Sequence, residues 1–284
     1  MELNRIAVMG AGMMGTGIAQ VVAMGGYPVS VRDIASDFLA KSKTKIEKKL
    51  RELVEKGKIA DQDVKNISSR MTFTEDLKAA AADADLIIEA VPENLELKRK
   101  VFTELEKMAK PSAIFASNTS ELSISSLVSS TRRPKQVIGT HWFFPPQVMR
   151  LIEVVVTPDT SGETLETTVT FCKKIGKETV ICKDAQGFIT SRAISALVAE
   201  CMRIYEEGIA SIEDIDKAMR LGFNHPIGPF QLMDMSGLDV VYHALEGLTK
   251  VYGDRFKPSH AMAQLVEKGS FGQKTGNGFY SYRK

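Results

Sequence analysis

Residues 5–15 read Arg5-Ile6-Ala7-Val8-Met9-Gly10-Ala11-Gly12-Met13-Met14-Gly15, a short apolar run that breaks into Gly-x-Gly-x-x-Gly. Small and apolar residues from Ile18 to Ala23 follow and suit a close-packed helix. Pro28 to Val31 then reads as a second strand, closed by Asp33. Strand, glycine turn, helix, strand and acid in that order is the sequence form of a dinucleotide-binding βαβ unit. Gly10 permits the tight turn, Gly12 admits the pyrophosphate, and Gly15 lets helix and strand pack closely. Phosphates would lie on the unpaired N–H groups of the loop and helix start, Met13 and Met14 included, where the helix dipole also favours them. Asp33 can accept hydrogen bonds from both ribose hydroxyls and would repel a 2′-phosphate, so the expected cofactor is NAD rather than NADP. Arg32 should point to the opposite face of an alternating strand.

Outward from this unit, Phe38 to Lys58 has helical periodicity and ends at Gly57. Met71 to Thr74 and Leu86 to Val91 read as strands, Leu95 to Met108 as an amphipathic helix, and Ile114 to Ala116 as a strand running into Ser117-Asn118-Thr119-Ser120. Val137 to His141 and Leu151 to Thr157 are strands joined by the aromatic and proline-containing loop 142–150. Val169 to Ile175 suits a helix and Glu178 to Cys182 a closing strand. Beyond Lys183 the texture changes to helical patterns at Ser191 to Glu207, Ile212 to Leu221 and Gly237 to Val251. The expected fold is α/β: a Rossmann-type dinucleotide-binding domain over residues 1–185, followed by an all-α domain over 186–284.

Composition limits the functional classes. A net charge of +2 over 284 residues gives no electrostatic reason for a nucleic-acid or membrane partner. The lysines from Lys41 to Lys49 are offset by Glu47, Glu52 and Glu55, which reads as a solvated helix face. No run is long enough to span a bilayer, and the sequence opens on a strand pattern without a charged leader, apolar stretch and cleavage site, so no targeting segment is expected. Cys172, Cys182 and Cys201 have no metal-ligand spacing and an odd count, so reduced thiols in a cytoplasmic protein are expected, with no metal.

Of four histidines, His141 alone sits at a strand end beside a loop, where α/β folds place their sites. Glu153 lies on the next strand and can reach the imidazole. By itself such a pair is more often a structural hydrogen bond than an acid–base couple. Ser120 in Ser-Asn-Thr-Ser is likewise readable as a turn or cap residue.

These segments together resemble the L-3-hydroxyacyl-CoA dehydrogenase family over essentially the whole chain. The resemblance is carried by Gly10 to Gly15, Glu89-Ala90-Val91-Pro92-Glu93-Asn94, Ser117-Asn118-Thr119-Ser120, Gly139-Thr140-His141 and Leu151-Ile152-Glu153-Val154. It continues in Gly187-Phe188-Ile189, Asn224-His225-Pro226-Ile227-Gly228-Pro229 and Lys274-Thr275-Gly276-Asn277-Gly278-Phe279-Tyr280. It implies hydride transfer between NAD and C3 of a (S)-3-hydroxyacyl-CoA or 3-oxoacyl-CoA, a cleft site between the domains, and homodimerisation through the helical domain. It assigns His141 as the base, Glu153 as its partner and Ser120 as hydrogen-bonding the substrate 3-oxygen. It further sets Glu93, Lys98 and Lys274 near the cofactor and Lys56 near CoA phosphates.

Two positions depart from the family pattern. Phe144 stands where the family has an asparagine after the histidine, and Ser191, at the start of the helical domain, stands where a second asparagine helps fix substrate and histidine. Either the acyl pocket is rebuilt for a bulkier or aromatic chain, or the protein is a catalytically weak NAD binder. A dehydrogenase acting on a free hydroxy acid is the remaining alternative.

Overall fold

The structure, a computed structural model, describes residues 1–282 and divides into two units, Met1–Ala185 and Gln186–Lys284.

The first unit is built on eight strands: β1 (Ile6–Met9), β2 (Val29–Arg32), β3 (Met71–Thr74), β4 (Leu86–Glu89), β5 (Ile114–Ser117), β6 (Val137–Trp142), β7 (Leu151–Val156) and β8 (Glu178–Lys183). They form one sheet in the order β3-β2-β1-β4-β5-β6-β7-β8. Every pairing is parallel except β6 with β7, where a short loop reverses the chain. The strand order turns back between β1 and β4, and open α/β sheets bind ligands at the carboxyl ends of such strands. All four residues of β1 are buried, as a parallel strand covered on both faces requires.

The helices of this unit are α1 (Met13–Met24), α2 (Ser36–Glu55), α3 (Asp61–Ser68), α4 (Leu77–Ala81), α5 (Leu95–Met108), α6 (Ile124–Val128) and α7 (Gly162–Lys174). On α2 the inward residues Leu39, Ser42, Ile46 and Leu50 recur at helical spacing, leaving its lysines outward. Three differences from the sequence reading have local causes. Helix α1 begins at Met13 rather than near Ile18, because the glycine loop passes straight into it. Helices α3 and α4 are too short to show a period and are set by capping instead: Asp63 accepts the Ala60 N–H, and Asp76 accepts those of Lys78 and Ala79. Helix α7 starts at Gly162, capped by Ser161, rather than near Val169; its buried face is partly threonine (Thr164, Thr167, Thr168), which hides the first turns from an apolar periodicity.

The second unit contains α8 (Thr190–Glu206), α9 (Ile212–Gly222), α10 (Pro229–Ser236), α11 (Leu238–Tyr252) and α12 (His260–Glu267) around Met202, Phe230, Met233, Leu245, Leu248, Phe256 and Met262. Among its described residues there is no strand, only isolated bridges near the tail. The unanticipated α10 opens on Pro229, where a proline's missing N–H costs nothing. Buried Asp234 accepts from the Phe279 and Tyr280 N–H groups and the Tyr282 hydroxyl, clasping the tail against α10. Gly278 has no room for a side chain because that carboxylate fills the space.

Candidate active site

The glycine loop has the geometry a dinucleotide needs. Gly10 has φ +107°, and a Cβ there would meet the Ala90 carbonyl oxygen at 2.5 Å. A Cβ on Gly15 would run into the Gly10 carbonyl, whereas nothing lies within 4 Å of one on Gly12. The start of α1 carries no side-chain cap and no acid in its first turn, so its N–H groups suit an anion. Met13 is exposed and Met14 half-buried beside them. Asp33 Oδ2 accepts the Ala11 N–H at 2.6 Å, tying the end of β2 to the loop. Ile34, 75 % exposed directly after it, supplies an apolar surface that the sequence reading did not single out. The Arg32 guanidinium donates to the Glu75 carbonyl instead.

At the ends of β4 and β5 lies a buried charge cluster. Lys98 and Glu89 are both 0 % exposed. Lys98 Nζ lies 2.7 Å from Glu89 Oε1 and 3.2 Å from Glu93 Oε2, and donates to the Val91 carbonyl. Ser117 Oγ donates to the other Glu89 oxygen at 2.6 Å. Glu93 Oε1 accepts the Thr119 hydroxyl and the N–H groups of Ser120 and Glu121, fixing the loop that carries Ser120. Burial would raise the Glu93 carboxyl, but the Lys98 ammonium and the Thr119 and Ser120 donors outweigh it and hold it below the usual range. Burial dominates at Glu89 and pushes its carboxyl up despite Lys98. Lys98, expected near the cofactor, is thus sealed beneath Glu93, and the geometry gives it a supporting position rather than an open one. An acid ending an otherwise apolar strand, as Glu89 does, was the available sequence signal for this cluster.

His141 and Glu153 are direct cross-strand neighbours in the antiparallel pairing of β6 with β7. His141 Nδ1 lies 2.6 Å from Glu153 Oε2, with the histidine 7 % and the glutamate 0 % exposed. Asn118, in the loop after β5, accepts the Trp142 N–H at 3.0 Å, so the Ser120 loop is tied to the strand end that bears His141. Phe143 stacks obliquely on the imidazole with ring centroids 4.5 Å apart, and Phe144 is 61 % exposed.

Lys56, at the end of α2, lines a groove of about 690 Å³ in the same unit. Lys49, Lys58, Arg150, Lys174 and Lys177 share that lining, with Met24, Leu53, Ile59, Val148 and Ile175 as its apolar part. By sequence the α2 lysines read as a solvated face. The fold adds further cations to the same groove from residues far along the chain. Glu52 is the lone acid of the lining; its hydrogen bond from Lys49 lowers its pKa.

In the second unit Ser191 lies in the first turn of α8, half-buried. Lys274 Nζ pairs with both oxygens of Asp239 at 2.6 and 2.7 Å. The three cysteines are free thiols. Burial raises Cys172 to about 12 and Cys182 and Cys201 to about 11, which removes them as nucleophiles.

Comparison with known proteins adds to this geometry. The family model described as 3-hydroxyacyl-CoA dehydrogenase, NAD binding domain, matches residues 5–185, and that for the 3-hydroxyacyl-CoA dehydrogenase C-terminal domain matches residues 187–282. The chain is 43 % identical to the mitochondrial hydroxyacyl-coenzyme A dehydrogenase of Sus scrofa, across 99 % of this chain and 92 % of that one. It is 40 % identical to a probable 3-hydroxybutyryl-CoA dehydrogenase of Deinococcus radiodurans, across 98 % and 100 %. The crystal structure of (S)-3-hydroxybutyryl-CoA dehydrogenase from Ralstonia eutropha superposes with a TM-score of 0.96 at 35 % identity, covering all of both chains.

Proposed function

The chain belongs to the 3-hydroxyacyl-CoA dehydrogenase family, and from that premise we propose that His141 exchanges a proton with the C3 oxygen while hydride passes between C3 and NAD. The protein is an NAD-dependent oxidoreductase of 3-hydroxyacyl-CoA thioesters. The observation that carries the assignment of roles is the 2.6 Å contact between His141 Nδ1 and Glu153 Oε2.

Donating Nδ1–H to Glu153 makes Nε2 the basic atom of the neutral ring. When the alcohol is oxidised, Nε2 takes the hydroxyl proton, and the carboxylate at Nδ1 stabilises the imidazolium that results. In the reverse direction the imidazolium returns that proton to the 3-oxo oxygen. Ser120 both donates and accepts, so its hydroxyl serves alcohol and ketone alike. Glu93, held by Lys98, sets the Ser120 loop. Bound NAD supplies the hydride acceptor, and NADH the donor. The loop 10–15 and the start of α1 hold its pyrophosphate, and Asp33 with Ile34 its adenosine end. Lys274 and Ser191 are assigned to cofactor and substrate from the second unit on the resemblance alone.

The groove beside Lys56 takes the nucleotide portion of CoA. Its five lysines and one arginine against a single acid favour a substrate bearing phosphates over a free hydroxy acid. Exposed Phe144, Val148 and Met149 favour an acyl chain that meets apolar surface. A homodimer formed by the second unit is supported by its exposed Ile209, Leu221, Phe223, Val240 and Val251. A cytoplasmic location is supported by the free cysteines. No helix among the described residues is long and apolar enough to cross a membrane.

The test is NADH absorbance in the presence of 3-oxoacyl-CoA thioesters of increasing chain length, with free acetoacetate beside them. Oxidation with the thioesters and not with the free acid is expected. Turnover of the free acid alone would replace this reading with that of a hydroxy-acid dehydrogenase.

A further inference from the structure

Lys177, between α7 and β8, is 7 % exposed. Its ammonium donates to the Pro146 carbonyl at 2.5 Å and the Met149 carbonyl at 2.6 Å. It also stands 5.8 Å from the centre of the Trp142 ring. Burial pulls its pKa below the ordinary lysine value, with the nearby Cys172 sulfur a smaller opposing influence. A buried cation without a counter-ion is costly, so what it holds is informative.

It holds a turn. Residues 145–149 lie in the loop between His141 and Glu153, and the Val148 and Met149 N–H groups both close on the Pro145 carbonyl. The far side of the turn is fastened to the nucleotide-binding helix. Gln147 Nε2 donates to Gln20 Oε1 at 2.9 Å, and Pro146 packs so closely on Gly17 that a Cβ there would lie 2.9 Å from its ring. Pro145, Gln147, Val148 and Lys177 itself line the cationic groove. One short segment therefore connects the histidine strand, helix α1 and the groove wall.

We propose that Lys177 is a positioning residue for the thioester substrate, fixing the 145–149 turn so that the groove and His141 are held at the spacing a CoA thioester spans. This rests on the reading of the groove as the CoA site. Lys177 acts through the two carbonyls it binds, and its charge adds to the groove's positive field without an acid to cancel it. Small misplacements of a bound substrate translate into large rate losses.

The experiment compares acetoacetyl-CoA with acetoacetyl-N-acetylcysteamine, a thioester lacking the nucleotide, on the wild-type protein and on Lys177→Met and Lys177→Arg. The wild type is expected to show a KM at least about tenfold lower for the CoA thioester. Lys177→Met is expected to raise that KM about tenfold, to change kcat/KM on the truncated substrate less than about threefold, and to leave the NADH Kd in place. Lys177→Arg should recover most of the loss. Should Lys177→Met fail to fold, Lys177→Leu, which likewise has neither donor nor charge, is read in the same way. Equal losses on both substrates, or a parallel loss of NADH affinity, would overturn the proposal in favour of plain structural support. An unchanged KM in Lys177→Met, in a wild type that prefers the CoA thioester, would overturn it while leaving the groove assignment standing. A wild type without that preference would overturn both.

Discussion

His141 and Glu153 face each other across the antiparallel pair β6–β7, with Nδ1 and Oε2 2.6 Å apart and the carboxylate wholly buried. Strand register sets this contact, so neither side chain has to find the other through a flexible loop. A buried carboxylate on Nδ1 orients the ring and sets its tautomer.

Replacing Glu153 with glutamine keeps an acceptor for Nδ1–H and removes the charge. The expected result is a fall in kcat of roughly 10²–10⁴-fold with NADH affinity unchanged. Steady-state kinetics and a fluorescence titration of NADH measure the two. A kcat within twofold of wild type would show that the carboxylate does nothing for the imidazolium.

His141→Gln removes the proposed proton carrier and should lower kcat by at least about 10²-fold. NADH should still bind, because the glycine loop and Asp33 follow other strands, β1 and β2. Loss of NADH binding in this variant would place the histidine at the cofactor rather than at the reacting oxygen.

The glycines of the loop separate folding from ligand. The space above Gly12 is open, while Gly15 abuts the Gly10 carbonyl. Gly12→Ala should therefore melt at the wild-type temperature and yet bind NADH at least about tenfold more weakly, because its methyl enters the pyrophosphate's space. Gly15→Ala should lower stability by about 1–3 kcal/mol through overpacking. Differential scanning calorimetry and NADH titration check both; a Gly12→Ala protein with unimpaired NADH binding would move the cofactor elsewhere.

Much of this was legible in the chain. β1, the glycine turn and Asp33 are separated by short, strongly patterned segments, and His141 and Glu153 lie on consecutive strands, so local reading sufficed. The cationic groove was not legible. Lys49, Lys56 and Lys58 look like a solvated helix face until Arg150, Lys174 and Lys177 arrive from the loop before β7 and the end of α7. The Glu89–Lys98 pair was hidden for a related reason: spacing along a sequence does not reveal that both charges are fully buried. Helices α3, α4, α10 and α12 span too few residues for periodicity to speak, and capping side chains or an initial proline define several of their starts.

Asp85 gives the fold a predictable acid response. It accepts the Asn4 and Arg5 N–H groups at 2.7 and 2.8 Å and pairs with Lys110. Burial alone would raise its carboxyl, but the Lys110 hydrogen bond and the two backbone donors outweigh it, and its pKa is lowered. A depressed carboxylate contributes stability that is complete above its unfolded pKa of about 3.9 and is lost as pH falls through the lower folded value. Asp85→Asn should thus cost about 1–3 kcal/mol at pH 7, with the difference shrinking below about pH 4. Urea melts at pH 7 and pH 3.5 measure it; a difference that grows on acidification would contradict the assignment.

The most direct test of the central claim is isotopic. NADH carrying deuterium at both C4 positions is incubated with acetoacetyl-CoA in ordinary water, and the product is analysed by mass spectrometry. The account predicts one deuterium in each 3-hydroxybutyryl-CoA formed, located at C3. A product without deuterium, or NADH left unconsumed across the whole series of 3-oxoacyl-CoA thioesters, would contradict it.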